Sequence, residues 1–364
     1  MSSGTDNRMA WVRNIESFSP ARGPTDCTEF ELASDVEIAG VLDYADGGIL
    51  CGRLSMERSR IGLYLYTLRL TFPFQNRASD RPPATKKGYT FRGGPAAELL
   101  ALFSLYLHCR FYLTAARHGQ LSSNSIAIRN EYSFVYHPCP PVLDPVLFSS
   151  RQRNFAVGLP AFLDRVRSLP TEHHQRFMLA CYHFARALRE VGGDTEMVLV
   201  RLVSAVEALS GCVKLRKKDD LFAGAKFQDL IRDEDLAADA SAELQRIFEV
   251  RKAKARFKRF VLDNCGGFFK GGNFKARHCR ITKAELPKLL SSVYDARSAY
   301  LHDGEPMYLS SIQPHGTNWD TDPSTEMEVD QRRYTKDQKM PYPHFFHSLI
   351  RHCLWHFLSR AEKA

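Results

Sequence analysis

The first part of the chain alternates hydrophobic and polar residues in the way that β-strands do. From Leu63 to Phe72 every second side chain is large and apolar or aromatic, and residues that favour strands fill the segment. Asp46-Gly47-Gly48 separates two short apolar runs and predicts a turn. We therefore predict strands and turns over residues 27–75, followed by a polar loop over residues 76–94.

A helix is predicted next, because Pro95 stands before a run of apolar residues and Gly119 comes after it. We place this helix between Pro95 and about Arg117. Residues 125–136 favour a strand or a pair of strands, and the proline-rich residues 138–145 mark a linker. Residues 1–145 are thus predicted to form a mixed α+β domain, which we expect to be a recognition or sensor domain.

The pattern changes to that of helices after residue 145. Apolar residues recur at i, i+3 and i+4 in segments bounded by glycine, proline or capping residues. The predicted helices cover residues 159–169, 171–191, 195–210, 241–262, 286–301 and 343–361. Asp194 is positioned to cap the third of these helices. Residues 306–341 are polar without a period and predict an insertion or a disordered loop, so residues 146–364 are predicted to be an all-α domain with this insertion.

The composition is that of an ordinary globular protein, but the positive charge is concentrated in one stretch. The 364 residues are 44% hydrophobic and 25% charged, and 50 Lys and Arg against 41 Asp and Glu give a net charge of +9. Residues 251–280 contain ten basic residues and one acidic residue, so ten minus one gives this stretch alone +9. This stretch has two interpretations: it binds a polyanion such as RNA, or it is a solvated helix face. The residues that we predict to bind RNA are Arg251, Lys252, Lys254, Arg256, Lys258, Arg259, Lys270, Lys275 and Arg277.

Neither a secretory signal nor a membrane span is predicted. The first nine residues are polar, and the longest apolar stretch, residues 99–107, is shorter than the roughly 20 residues of a span. Nine cysteines at irregular spacing, without C-x-x-C, favour free thiols over a disulfide framework or a zinc ribbon. We therefore expect a cytoplasmic protein.

Arg297 and His302 are the candidate catalytic pair, near the end of the predicted helix that Gly304 closes. Five steps along an ideal helix give a net rotation of about 140°, so the two side chains do not stack directly on each other. The long arginine side chain and the fraying helix end nevertheless allow both to reach the same site. Histidine exchanges protons near neutral pH, and arginine can hold a phosphate through two hydrogen bonds. The pair therefore suits RNA cleavage that needs no metal ion.

Four features together resemble the HEPN superfamily. They are the motif Tyr294-x-x-Arg-Ser-x-x-Leu-His-Asp-Gly304, an upstream helix that carries Glu207, a basic helix and an amphipathic closing helix. The similarity is greatest to the ApeA-like HEPN domain of bacterial defence proteins. The resemblance implies an all-α bundle that commonly dimerises and, in catalytic members, a metal-independent endoribonuclease. It implies catalytic roles for Arg297 and His302 and supporting roles for Ser298 and Glu207, with no cofactor.

The resemblance covers about residues 160–364, with the insertion at residues 306–341 as a departure from the family pattern. It implies an anti-phage or toxin effector, a nuclease that hydrolyses RNA as a homodimer, with residues 1–145 open to a partner protein or a phage trigger. Two alternatives remain: a catalytically inert HEPN-like module that binds RNA and dimerises, and a toxin controlled by a nucleotidyltransferase-type partner. Glu207 could line the cleft, or it could pair with an arginine to fix the packing of the bundle.

Two further patterns have more than one interpretation. Residues 265–278 interleave Phe268, Phe269 and Phe274 with glycines and cations, so these rings could stack on bases or dock on the core. The final predicted helix carries four histidines, namely His344, His347, His352 and His356. The H-E-x-x-H signature of a helical zinc site is missing, and we assign no metal site.

Overall fold

The structure is a computed structural model that divides into two compact units, Met1–Gly193 with Ala361–Ala364, and Asp194–Arg360. It describes residues 9–17, 25–58, 63–72, 94–122, 125–133, 153–191, 194–215, 252–270, 281–307, 327–329, 332–334 and 340–361. The predicted domain boundary near residue 145 lies outside the described residues. A sheet occupies the N-terminal region and mostly helices follow it, as the sequence predicts.

A six-stranded antiparallel sheet forms the framework of the first unit, with strand order β3-β4-β5-β1-β6-β7. A separate parallel pair joins β2 to β8. The strands are β1 (Thr25–Ser34), β2 (Ile38–Ala39), β3 (Leu42–Tyr44), β4 (Ile49–Arg58), β5 (Tyr64–Phe72), β6 (Phe111–Ser122), β7 (Ser125–Ser133) and β8 (Arg153–Asn154). The strand predicted over residues 63–72 is confirmed as β5, and the predicted turn lies between β3 and β4.

Burial alternates along β5, which shows that one face of the sheet is buried. Tyr66, Leu68 and Leu70 on β5 are at most 1% exposed, whereas the residues between them are half-buried. The helices described alongside the sheet are α1 (Ala10–Ser17), α2 (Gly94–Leu107), α3 (Leu159–Arg167) and α4 (Thr171–Glu190). Helix α2 is buried on nearly every side and packs against α4, which places α3 and α4 in the same unit as the sheet.

The predicted extent of α2 is wrong, since the helix ends at Leu107 and the chain continues as a strand from Phe111. His108 adopts a left-handed backbone conformation with φ 56°, which stops the helix. Arg110 then donates its backbone N–H to Asp35, and β6 pairs with β1 along its length. Residues from Phe111 onward, which the apolar pattern predicts to be helical, therefore form a strand because they pair with β1.

Helices make up most of the described part of the second unit, and local signals set their ends. They are α5 (Thr195–Ser210), α6 (residues 252–264), α7 (Leu286–Asp303) and α8 (Pro343–Ala361). Asp194 caps α5 by accepting a hydrogen bond of 2.8 Å from the Met197 N–H, as predicted. Gly304 closes α7 with φ 70°. The predicted helices over residues 195–210, 286–301 and 343–361 are confirmed.

Side-chain contacts show that neighbouring helices of this unit run antiparallel. Glu207 near the end of α5 meets Arg297 on α7, whereas Glu196 near its beginning accepts a hydrogen bond from the Met307 N–H just after α7. Helix α6 runs antiparallel to α7, since Lys254 contacts Asp295 and Lys258 contacts Ser291. Residues 241–251 of the predicted basic helix lie outside the described residues. So does most of the predicted insertion, apart from a pair of short antiparallel strands, β9 (Met327–Val329) and β10 (Arg332–Tyr334).

Candidate functional site

Arg297 of α7 is held by an ion pair with Glu207 of α5. The Arg297 Nη2 atom lies 2.8 Å from Glu207 Oε2, and the two side chains are 18% and 24% exposed. The contact joins residues that are 90 positions apart in the chain. Of the two sequence interpretations of Glu207, pairing with an arginine is therefore the one observed, and its partner is the predicted catalytic arginine itself.

Tyr294 completes this cluster on the same face of α7. Its hydroxyl donates a hydrogen bond of 3.0 Å to Glu207 Oε1, and the Arg297 guanidinium lies 5.9 Å from the centre of its ring. Burial raises the pKa of Tyr294, and the neighbouring Glu207 carboxylate raises it further, so the phenol stays protonated and acts as a donor. The Phe257 ring of α6 packs against Tyr294 at a centroid distance of 5.4 Å.

The Arg297 guanidinium is only partly satisfied by these contacts. Its Nε atom is buried and has no hydrogen-bond partner among the described residues. Arginine presents five N–H donors in a planar fork, of which the carboxylate takes one here. The Nη donors that the carboxylate does not take suit an anion such as a phosphate.

His302 lies in the last turn of α7 and is exposed. It lies five positions after Arg297, which corresponds to a rise of about 7.5 Å along the helix axis. No hydrogen bond or ion pair joins the two side chains within the described parts of the chain. Arg297 points to α5, while His302 lies at the exposed helix end. Ser298, the predicted supporting residue, is half-buried beside Arg297.

Two of the residues predicted to bind RNA have polar partners on α7. Lys254 pairs with Asp295 of α7 at 2.6 Å, and Lys258 donates a hydrogen bond of 2.7 Å to Ser291 of the same helix. Burial lowers the pKa of Lys258, and the adjacent Lys254 adds to this effect. Part of the positive charge of α6 is therefore directed at α7.

The other predicted RNA-binding residues are in more varied positions. Arg259 pairs with Asp263 one turn further along α6, at 2.7 Å. Lys252 and Arg256 are half-buried, and Lys270 is exposed in the turn after α6. The remaining three, Arg251, Lys275 and Arg277, lie outside the described residues, as does Arg280.

Of the three phenylalanines after α6, the structure decides between the two interpretations for Phe268. Phe268 is 2% exposed and packs edge-on against Phe345 of α8 at 5.7 Å, so of the two interpretations the structure supports docking on the core. The apolar surface of α8 is its partner, which is the core-docking alternative. Phe269 is half-buried beside Phe268, and Phe274 lies outside the described residues.

The four histidines of α8 serve packing and local hydrogen bonds. His344 and His347 are buried, and burial together with Arg351 lowers the pKa of His347 to about 3. His352 bonds to the Gly266 carbonyl oxygen at 2.8 Å, and His356 lies 3.4 Å from the amide oxygen of Asn264. Over the described ranges no three His, Cys, Asp or Glu side chains come together as a metal site. The cysteines that the structure describes, Cys27, Cys51, Cys109, Cys181, Cys212, Cys265 and Cys353, are free thiols.

Sequence reasoning quoted Tyr294 within the motif but gave it no role. Tyr294 and Arg297 are three positions apart, which places both on one helix face, and this signal alone could have suggested a contact.

Comparison of the chain with protein-family models, with curated proteins and with solved structures finds no match. Within the described residues, no helix is both long and apolar enough to cross a membrane.

Proposed function

We propose that this protein is a metal-independent endoribonuclease of the HEPN type, which acts as an anti-phage or toxin effector. Arg297 binds the scissile phosphate and His302 transfers the proton. The observation that carries the proposal is the guanidinium of Arg297, which Glu207 holds in place. Arg297 lies about one and a half helical turns before the exposed His302. A fixed cation near an imidazole, the side chain used most often for proton transfer in catalysis, suits phosphodiester cleavage.

The proposed reaction is an attack by the ribose on its own phosphodiester. The 2′-oxygen forms a bond to phosphorus and loses its proton to a base, while the bond from phosphorus to the 5′-oxygen breaks and an acid protonates that oxygen. The products are a 2′,3′-cyclic phosphate and a free 5′-hydroxyl. Arg297 offsets the negative charge that grows on the phosphoryl oxygens.

One histidine per chain supplies either the base or the acid, and the reaction uses both. We therefore propose a homodimer in which His302 of each chain serves one of the two roles, with the phosphate between them. Basic residues of α6 would contribute to RNA binding beside this site, with Lys254 and Lys258 directed at α7.

A second function is favoured by the neutralisation of charge in the same unit. Glu207 offsets the charge of Arg297, and Asp295 offsets that of Lys254. Such pairs also stabilise helix packing without any reaction. The second candidate is therefore a HEPN-like module that dimerises and binds RNA without cleaving it.

Cleavage of total RNA in the presence of EDTA separates the two candidates. We expect wild-type protein to cleave, and His302→Ala and Arg297→Lys to lose at least about a hundredfold in rate, since a lysine lacks the planar fork of the arginine. Asp303→Ala is the matched control, because Asp303 is exposed in the same helical turn as His302.

Activity at the wild-type rate in His302→Ala would rule out the ribonuclease assignment. RNA binding without cleavage by the wild-type chain would instead support the second candidate. Products that end in a 2′,3′-cyclic phosphate identify attack by the 2′-hydroxyl, so the ends of the fragments test the mechanism separately from the rate.

A further inference from the structure

The two oxygens of the Glu207 carboxylate have different partners. Oε1 accepts the hydrogen bond from the Tyr294 hydroxyl at 3.0 Å, and Oε2 accepts the bond from Arg297 Nη2 at 2.8 Å. Neither donor competes with the other, so both bonds exist together. A hydrogen bond to one oxygen restricts the rotation of the carboxylate, and it restricts the direction of the second oxygen as well.

The Tyr294 side chain is itself held in place. It is 4% exposed and packs on Phe257 of α6, which is fully buried. The Arg297 guanidinium lies over the same ring, 5.9 Å from its centre. Tyr294 therefore touches both members of the ion pair, the carboxylate through its hydroxyl and the guanidinium through its ring.

We propose that Tyr294 is a positioning residue, which orients Arg297 by holding the Glu207 carboxylate. The catalytic consequence of this inference rests on the proposed function, whereas the positioning itself is a property of the cluster. Tyr294 does not touch substrate in this scheme. Its hydroxyl acts on the reaction only through Glu207 and Arg297.

The chemistry of the cluster requires a donor at this position. Without the phenol hydroxyl, the hydrogen bond to Glu207 Oε1 is removed, and the half-buried carboxylate would be free to rotate toward solvent. Arg297 would then lose the orientation of its one strong acceptor. Catalytic geometry tolerates displacements of only about 0.5 Å, so a rotation of this carboxylate is sufficient to lower the rate.

Tyr294→Phe removes the hydroxyl and keeps the ring, and Tyr300→Phe is the matched control. Tyr300 is a half-buried tyrosine on the same helix and has no hydrogen bond to Glu207 or Arg297 in the part of the chain described. We expect Tyr294→Phe to lower kcat/KM for EDTA-resistant cleavage about tenfold, and Tyr300→Phe to change it by less than about twofold.

A double-mutant cycle tests whether Tyr294 acts through Glu207. Glu207→Gln keeps a single acceptor oxygen, so it cannot receive both donors in the same way. On this background the additional effect of Tyr294→Phe should fall from about tenfold to less than about twofold, because the path is already interrupted. Full additivity of the two substitutions would overturn the proposal.

A measurement without RNA separates this inference from the ribonuclease assignment. The side-chain N–H signals of Arg297 in a nitrogen-15 NMR spectrum, assigned by their loss in Arg297→Lys, report its hydrogen bonding. Tyr294→Phe should shift and broaden them, whereas Tyr300→Phe should not. Unchanged signals in Tyr294→Phe overturn the positioning role. If the signals change but the wild-type chain cleaves no RNA, the positioning stands and the proposed function falls.

Should Tyr294→Phe fold poorly, the same contact is tested from the other side. Glu207→Gln removes the negative charge next to the phenol, so the pKa of Tyr294 should fall and its phenolate absorbance should appear at lower pH. A titration of Tyr294 that Glu207→Gln leaves unchanged would show that the contact does not form, and it would overturn the proposal.

Discussion

Asp35 and Arg110 form an ion pair in the interior of the first unit. Arg110 Nε lies 2.7 Å from Asp35 Oδ2, and the side chains of Arg110 and Asp35 are 1% and 4% exposed. The Arg110 Nη1 atom also donates a hydrogen bond of 3.1 Å to the Val191 carbonyl oxygen. Asp35 follows β1, Arg110 precedes β6 and Val191 follows α4, so this one pair joins the ends of three elements.

Asp35→Asn should destabilise the first unit by about 3–5 kcal/mol, because it leaves the buried guanidinium without a counter-charge. The midpoint of urea unfolding, followed by circular dichroism, measures the change. Glu172→Gln is the control: its pair with Arg176 is exposed, and its loss should cost about 0.5 kcal/mol or less. Equal costs for the two variants would contradict a structural role for the buried pair.

The acid stability of the second unit should depend on His347. This side chain is fully buried on α8, and burial and Arg351 lower its pKa from 6.5 to about 3. The unfolded chain binds the proton more readily than the folded chain. The contribution of the neutral imidazole to stability is therefore fully present above pH 6.5 and is lost as the pH falls from 6.5 toward 3.

His347→Leu should flatten this acid dependence, since leucine does not titrate. Between about pH 6.5 and pH 4 the wild-type protein should lose on the order of a few kcal/mol more stability than the variant. Urea unfolding at a series of pH values provides the measurement, with the exposed His302 replaced by alanine as the control. A wild-type slope in His347→Leu would mean that another group causes the acid sensitivity.

Replacement of Lys254, Lys258 and Arg259 by glutamine should weaken RNA binding and flatten its salt dependence. Each phosphate that is no longer neutralised by a basic side chain reduces the slope of log K against log salt by about 0.7 for a single strand. Filter binding at several salt concentrations measures the slope. The same replacement of Arg165, Arg167 and Arg176 in the first unit is the control, and an unchanged slope in the α6 variant would identify these residues as a solvated face.

The pairing of Lys254 with Asp295 predicts that one substitution should increase RNA affinity. Asp295→Asn removes the carboxylate that offsets Lys254, so the lysine becomes available to phosphate. RNA affinity should rise by about twofold to fivefold, and the salt slope should steepen. A fall in affinity would indicate that Asp295 holds Lys254 in its binding position instead of competing for it.

The proposed composite site predicts that one defective chain inactivates the dimer. A mixed dimer of one wild-type chain and one His302→Ala chain, isolated through two different affinity tags, should be nearly as inactive as the His302→Ala homodimer, because only one of the two proton-transfer roles is filled. The wild-type homodimer with the same two tags is the control. A mixed dimer that keeps about half of the wild-type rate would show that each chain uses only its own His302.

Much of the helical unit could be predicted because its signals are local. Asp194 caps α5 through an N–H only three residues away, and Gly304 closes α7 through its own left-handed conformation. Helix α5 begins and ends where the apolar period and these signals place it. Such interactions involve residues within about one helical turn of each other, so the local sequence is sufficient to predict these helix ends.

The end of α2 could not be predicted for the opposite reason. Arg110 turns the chain toward Asp35, which is 75 residues away, and β6 then pairs with β1. The apolar residues after Leu107 satisfy the pattern of a helix as well as that of a buried strand. Only the presence of a neighbouring strand decides between these two structures.

The candidate site divides in the same way. The sequence by itself determined that Arg297 and His302 share a helix, that this helix ends at Gly304 and that a basic helix precedes it. The packing of α5 against α7 decided that Glu207, 90 residues earlier, holds the guanidinium, and that Tyr294 holds Glu207. Periodicity reports which residues face the core, but a contact between two helices depends on their register and crossing, and those are set by the whole set of side chains between them.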